Sequence, residues 1–402
     1  MSITLSEIAA NSTHLSGNPI WVKATTSGIP AGATDYQILL QVQSVDGELV
    51  GSPFTPDAIA PDQNNEALFD ISVIVDQEME KDFKFPLRYE DMARGHPGLV
   101  YVVDLYPGER YINSNGDLQE SCGNILGPIF IVKGKLPKGM LSVLNDAGTN
   151  WYDYFASEGR FLSLMPVEQT VSPWQPVKVW IKGNNPGYLS YPFNITIKSY
   201  YDDDSTDQYT QTLQVYRDML HEIDLQPSNY YLVLNDGNKK LVKYEVIGNG
   251  NGVNYETRTF HVNWDYYEKY WYLFVDNQAG GIECIWLRGR MKYVPTGERT
   301  VSGRPQQRGA GVKTPTLLVS GNKRQRKWII NSGFKPGANE MEALDIILDA
   351  PRAWLAIPPE DGSTDLNDYS LVPVIVTSNE LTLHNDMDYG MENVDLEIIE
   401  AH

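Results

Sequence analysis

The sequence predicts a mainly β protein: tandem β-sandwiches of the immunoglobulin or fibronectin type, followed by a C-terminal β domain with one packed helix. Three observations carry this expectation. Strand-forming Val, Ile, Thr and Tyr recur along the whole chain, with 24 Tyr among 402 residues. The 33 Gly and 24 Pro are dispersed as punctuation between short segments. The turn signals fall at the spacing of sandwich strands.

The first sandwich is assigned to residues 1–136. Its strands are "NPIWVKAT", "DYQILLQVQSVDGELVG" folded about Asp46-Gly47, "ALFDISVIVD", "GLVYVVDLY" and "GPIFIVKG". The segment "GKLPKG" (Gly134–Gly139) reads as the linker. The second sandwich, residues 137–262, holds "PVKVWIKG", "FNITIKSYY", "YTQTLQVY", "NYYLVLNDGNKKLVKYEVIG" and "ETRTFHVNW", with a hairpin turn at Asn235-Asp236-Gly237. Each half opens with an X-Pro-aliphatic strand (Pro19, Pro176), a weak sign of duplication. Residues 263–402 form the third domain. Within it, Asn339 with Glu342 marks a helix start, and Met341, Leu344, Ile347 and Leu348 share one face. Pro351 ends the helix, which is expected over Glu340–Leu348. The strand "KRQRKWIINSGF" precedes it, and "AWLAIP", "LVPVIVTSNELTLH" and "VDLEIIEAH" follow.

Composition narrows the function classes. No apolar run approaches the roughly 18 residues of a membrane span, so no membrane insertion is expected. The start of the chain has neither a basic n-region nor a continuous apolar stretch, and Cys122 and Cys284 lack metal spacing; synthesis in a reducing cytoplasm is the expectation. The formal charge is −20 but unevenly laid out. Residues Arg288–Lys327 hold eleven Lys/Arg against the single acid Glu298, whereas Pro336–His402 hold fifteen Asp/Glu against the single Arg352. Such an acidic total opposes nonspecific nucleic-acid binding, while the dipolar layout suits one copy's basic segment meeting a neighbour's acidic face.

The basic part has two sections. Residues 294–316 are read as an extended loop or assembly arm carrying Arg299, Arg304, Arg308 and Lys313, with glycines and prolines that favour an adaptable chain over a fixed hairpin. Lys323, Arg324, Arg326 and Lys327 form a basic strand. Elsewhere, Asp202, Asp204 and Asp207 are a weak Ca²⁺ candidate, set against an acidic hairpin turn that needs no metal. "GNGNGV" (Gly248–Val253) leads into a strand and so reads as a hairpin rather than a phosphate loop. The aromatic run Trp264–Phe274 offers stacking faces for a sugar, but core filling or subunit contact is favoured. No H-E-x-x-H, G-x-S-x-G or Walker lysine occurs, so no enzyme activity and no cofactor are expected.

The order of local signatures is similar to that of a family of virion structural proteins of bacteriophages and prophages from the Bacteroidetes, belonging to the tail or its connector. The matching pieces are "GNPI" (Gly17–Ile20), "LFDIS" (Leu68–Ser72), "RFLSLMP" (Arg160–Pro166), "LFVDNQAGGIECIWLRG" (Leu273–Gly289), "KRQRKWIINSGF" (Lys323–Phe334) and "LVPVIVTSNELTLHNDMDYGMENVDLEII" (Leu371–Ile399). The resemblance is strongest over the last third. Asp349–Pro351 departs from the family's Ser-Pro, and the middle sandwich matches poorly. It implies a non-enzymatic virion protein, made in the host cytoplasm, that forms a ring-like homo-oligomer contacting neighbouring tail or connector proteins. Genome DNA would pass through without sequence-specific binding. The alternative class is a glycan-binding β-sandwich surface or adhesion protein.

Overall fold

The structure is a computed structural model. It describes residues 3–44, 57–79, 92–147, 149–183, 190–228, 239–303, 317–333, 335–336, 344–378, 391–392 and 394–401. Strand accounts for 52% of it and helix for 10%. The architecture is tandem β-sandwiches followed by a C-terminal β region. The turns expected at Asp46-Gly47 and Asn235-Asp236-Gly237 lie outside the described residues.

Two units partition the chain: residues 1–264 with 276–283, and residues 265–275 with 284–402. The first unit contains both sandwiches. In the first sandwich, one sheet orders Ile3–Ser6, Trp21–Thr26 and Glu66–Asp70. The other orders Thr13–Leu15, Leu126–Val132, Val100–Ile112, Thr34–Ser44 and Asp57–Ile59. Alternation drives their stacking: Val22 and Ala24 from one sheet meet Ile38, Leu40, Val103 and Ile131 from the other in one buried cluster.

"ALFDISVIVD" is not one strand. It breaks after Asp70 into the helix Ser72–Met79. Asp70 Oδ1 accepts the N–H of Ser72 and that of Ile20, both at 3.0 Å, tying the helix start to the neighbouring strand. Ile71, Val75 and Met79, four residues apart, are all buried in the core. This helical spacing prevails over the strand preference of "VIV". A second helix missing from the sequence reading, Lys138–Asp146, follows Pro137 directly, so the presumed linker is a helix start.

The second sandwich places Glu168–Val171, Arg258–Val262, Leu241–Gly250, Ser190–Tyr201 and Thr206–Tyr216 in one sheet. Its other sheet is Lys178–Lys182, Leu220–Asp224 and Ala93–His96. The last strand corrects the boundary at residue 136. Ala93–His96 pairs antiparallel with Leu220–Ile223, and Met92 is buried in the second core. A segment from the first domain's sequence thus completes the second domain's sheet.

The second unit is built on a seven-stranded sheet ordered Ile282–Leu287, Trp271–Asp276, Ala353–Ile357, Ser370–Val376, Asp395–Glu400, Lys327–Asn331 and Met291–Tyr293. The tip joining its first two strands, Asp276–Glu283, is counted with the first unit. A helix occupies Asp345–Asp349, with Leu344, Ile346 and Ile347 buried; residues 337–343, including Asn339, lie outside the described residues. Ala350 is extended, as a residue before proline should be, so Pro351 does stop this helix.

The tip itself is a tight turn, with Gly280 and Gly281 at φ 106° and 98°. Any Cβ at 281 would run into the indole of Trp180, whose Nε1–H donates to Ile282 O at 2.8 Å. Gly281→Ala therefore combines left-handed strain with overpacking and should destabilise the protein by ~2–5 kcal/mol. Denaturant melts will show this as a lower midpoint, whereas the same change at exposed Gly116 (φ 86°), which has open space around it, should cost distinctly less.

Candidate functional site

The basic stretch divides into parts of different character. Thr296–Gly303 is a strand, paired antiparallel with Leu317–Gln325 in a two-stranded sheet of its own. Residues 296–303 are therefore one arm of a ribbon, which corrects the reading of 294–316 as an extended loop. Eight residue pairs of ladder hold this segment, and its glycines do not prevent them. Arg299 stands opposite Asn322, Lys323 opposite Glu298 and Arg324 opposite Gly297. Arg304, Arg308 and Lys313 lie outside the described residues.

The expected basic strand is likewise two strands, interrupted at Arg326. Lys327–Asn331 turns into the large sheet and pairs with Asp395–Glu400. There Lys327 Nζ meets Glu397 at 2.6 Å and Arg326 Nε meets Glu400 at 3.5 Å. Part of the charge dipole is thus closed within the chain.

Asp202–Asp204 form the turn of the hairpin Ser190–Tyr201/Thr206–Tyr216. Asp202 Oδ1 accepts the Lys240 N–H at 2.7 Å, and Asp204 takes up a left-handed φ of 64°. Asp207 binds Lys239 at 2.8 Å, and that hydrogen bond holds its carboxyl below the usual range. Each carboxylate or backbone here serves the turn separately. Among the described residues, no group of three His, Cys, Asp or Glu is placed to hold a metal. Gly248–Val253 is a hairpin, with Asn251 and Gly252 at φ 51° and 77°. In the aromatic run, Tyr270–Phe274 are buried, while Tyr266 is 89% exposed.

A further site is absent from the sequence reading. The strand Lys178–Lys182 sends Val179 and Ile181 into the second core, and its opposite face, Lys178, Trp180 and Lys182, is also buried. That face meets polar partners instead. Lys178 pairs with Glu222, and neutral His96 donates Nε2–H to the other oxygen of Glu222 at 2.9 Å. Burial first, and the Lys178 charge second, hold His96 down to about 4.

At the strand's end, Lys182 lines a cleft of about 240 Å³ with Asn11–His14, Phe130, Asn150–Asp153, Gly183 and Arg217. Its Nζ lies 4.7 Å from the centre of the Phe130 ring and 4.9 Å from that of Tyr152. Its hydrogen-bond acceptors, Thr13 Oγ1 at 3.5 Å and Gly183 O at 3.4 Å, are neutral and distant. Arg217 stacks on Phe130 at 5.0 Å and reaches Asn11 Oδ1 at 3.4 Å. Desolvation, and then the nearby Arg217 charge, push Lys182 down to about 7. Trp151 is buried in the same wall, its indole N–H without an acceptor among the described residues. Chemically this is a cationic, aromatic-walled recess. No spaced motif announces it, because its contributors span residues 11 to 217; the one local hint is a second lysine in phase with Lys178 on a strand of core residues.

No family model matches the chain, and no curated protein matches it. Among solved structures it is similar to the fibronectin(III)-like modules of Clostridium thermocellum CbhA, at 10% identity over 66% of this chain and 98% of that one, with a TM-score of 0.17. It is also similar to CBD12 from CALX1.2, at 10% identity over 60% and 77% of the two chains and a TM-score of 0.18. A Salmonella alpha-2-macroglobulin mutant aligns with all of this chain and 30% of its own, at 9% identity and a TM-score of 0.17. Likeness at these scores carries no argument about this chain. Its class, a mainly β protein of tandem sandwiches, rests on its own sheets.

The lowered Lys182 has a measurable consequence. Between about pH 7 and 10.5 the unfolded chain holds a proton on this amine that the folded chain has shed, so this group makes stability rise with pH across that window. Lys182→Met should remove the rise. Denaturant melts at pH 7, 8 and 9 should show the parent gaining stability relative to the variant as pH increases.

Proposed function

We propose that this chain is a non-enzymatic structural subunit of a bacteriophage tail or tail connector, assembling as a ring-like homo-oligomer around the DNA channel. The observation that carries the reading is the ribbon Thr296–Gly303/Leu317–Gln325, a two-stranded sheet in the most basic part of an acidic chain. Two strands alone are marginally stable in water, so such a ribbon gains most by docking on a further surface. Its charge selects an acidic one, and residues Pro336–His402 of another copy supply that character. The ordered resemblance to tail proteins supports the same class. A net charge of −20 suits a channel wall that must not hold passing DNA. The glycan-binding alternative is weaker: the aromatic run leaves Tyr266 fully presented while Tyr270–Phe274 fill a core.

Exposed ion pairs contribute only ~0.2–1 kcal/mol each, so the ribbon docks by several acting together. Ring formation should therefore weaken as salt rises past the point where the Debye length falls below about 10 Å. Replacing Arg299, Arg304 and Arg308 by Ser should lower the oligomer fraction in mass photometry at low salt and flatten its salt dependence. A triple variant that assembles like the parent, with a parent indifferent to salt, would sink the proposal.

A further inference from the structure

We infer that the cleft formed by Asn11–His14, Phe130, Trp151, Tyr152, Lys182 and Arg217 is a binding site for a carboxylate monoanion carried on a flat apolar body. Two cations converge there, and among the described residues the deeper one has only neutral hydrogen-bond acceptors. Lys182 is 3% exposed and, among the described residues, contacts no carboxylate. Asp218 acts on it only through space, while Arg217 opposes its charge. A buried ammonium left with two long, neutral acceptors is costly, and an anion beside Lys182 would give it a charge-assisted hydrogen bond, with the Arg217 guanidinium lining the same cleft. The buried indole N–H of Trp151, without an acceptor among the described residues, lies in the same wall.

The walls set the rest of the chemistry. Phe130, Trp151 and Tyr152 present rings that suit a planar apolar body. Asp153 also lines the cleft, held by Asn150, whose Oδ1 accepts the Asp153 N–H at 2.9 Å. Its carboxylate disfavours a second negative charge, which selects a carboxylate over a phosphate dianion. His14, which burial lowers to about 4 and whose Nε2 is 2.8 Å from Ser12 Oγ, is neutral near pH 7 and adds no third charge. The carboxylate therefore belongs to a free small molecule with a planar apolar body.

Benzoate is the probe, with benzyl alcohol as its uncharged analogue and phenyl phosphate, a monoester whose second pKa is about 6, as the dianion. Calorimetry on the intact protein at pH 7 should give saturable benzoate binding, with benzyl alcohol and phenyl phosphate each at least about tenfold weaker, the factor expected for a hydrogen bond to a charged group. Lys182→Met and, separately, Arg217→Gln should each weaken benzoate by a similar factor while the thermal melt stays cooperative. Mass photometry at saturating benzoate should leave the particle size unchanged; dissociation of oligomers would instead place an acidic side chain of a second copy in the cleft and overturn the assignment. Equal binding of benzoate and benzyl alcohol, equal or tighter binding of phenyl phosphate, or no benzoate binding by the parent would each overturn the assignment. None of these three comparisons depends on a variant folding.

Discussion

The seating of the Gly280-Gly281 turn on Trp180 is the constraint around which the first unit is organised. Two consecutive residues in left-handed conformations bring backbone onto an indole face, and only glycine permits both the conformation and the approach. The surrounding bonds are directional. Trp180 Nε1 donates to Ile282 O, Asn277 Nδ2 donates to Leu162 O at 2.6 Å and to Glu283 Oε1 at 2.8 Å, and Asn277 Oδ1 accepts from Ala279 N at 2.9 Å. On the other side, Val132 and Gly134 of the first sandwich crowd Gly280 and Gln278. One short turn is thereby packed against both sandwiches, and it covers Trp180 on the outward face of Lys178–Lys182.

Covering that face obliges its polar groups to find partners. Lys178, Glu222 and His96 do so mutually, across three strands of one sheet, and removing one member of such a set would strand a charge without water. A related cluster lies nearby in the fold. Arg258, 2% exposed, binds Glu256 at 2.8 Å and Ser163 at 3.2 Å, while burial lifts Glu283 to about 7. Lys182 is the exception, with neutral contacts and an open recess before it.

The same logic of charge operates at larger scale in the C-terminal region. Its acidic last strand takes up Arg326 and Lys327 directly, through Glu400 and Glu397. Arg299, Lys323 and Arg324 fall on the separate ribbon, while Lys292 lies on the edge strand of the large sheet. A two-stranded sheet by itself is marginally stable in water.

Much of the β architecture follows from local signals. Alternation along Trp21–Thr26 and Ser190–Tyr201 specifies strands with one buried face, the acidic and Asn-Gly turns specify hairpins, and Pro351 ends the helix that precedes it. These are properties of neighbouring residues and need no knowledge of the rest of the chain. The helix Ser72–Met79 was concealed because its β-branched residues favour strand, and only burial of Ile71, Val75 and Met79 against the first core decides otherwise. The transfer of Ala93–His96 to the second sandwich, the double-sided burial of Lys178–Lys182 and the cleft at Lys182 were decided by tertiary structure alone. Each depends on contacts such as Lys182 with Thr13, or Trp180 with Ile282, between residues a hundred or more positions apart. Periodicity reports which face of a strand is apolar; what meets the other face is set by how whole sheets stack.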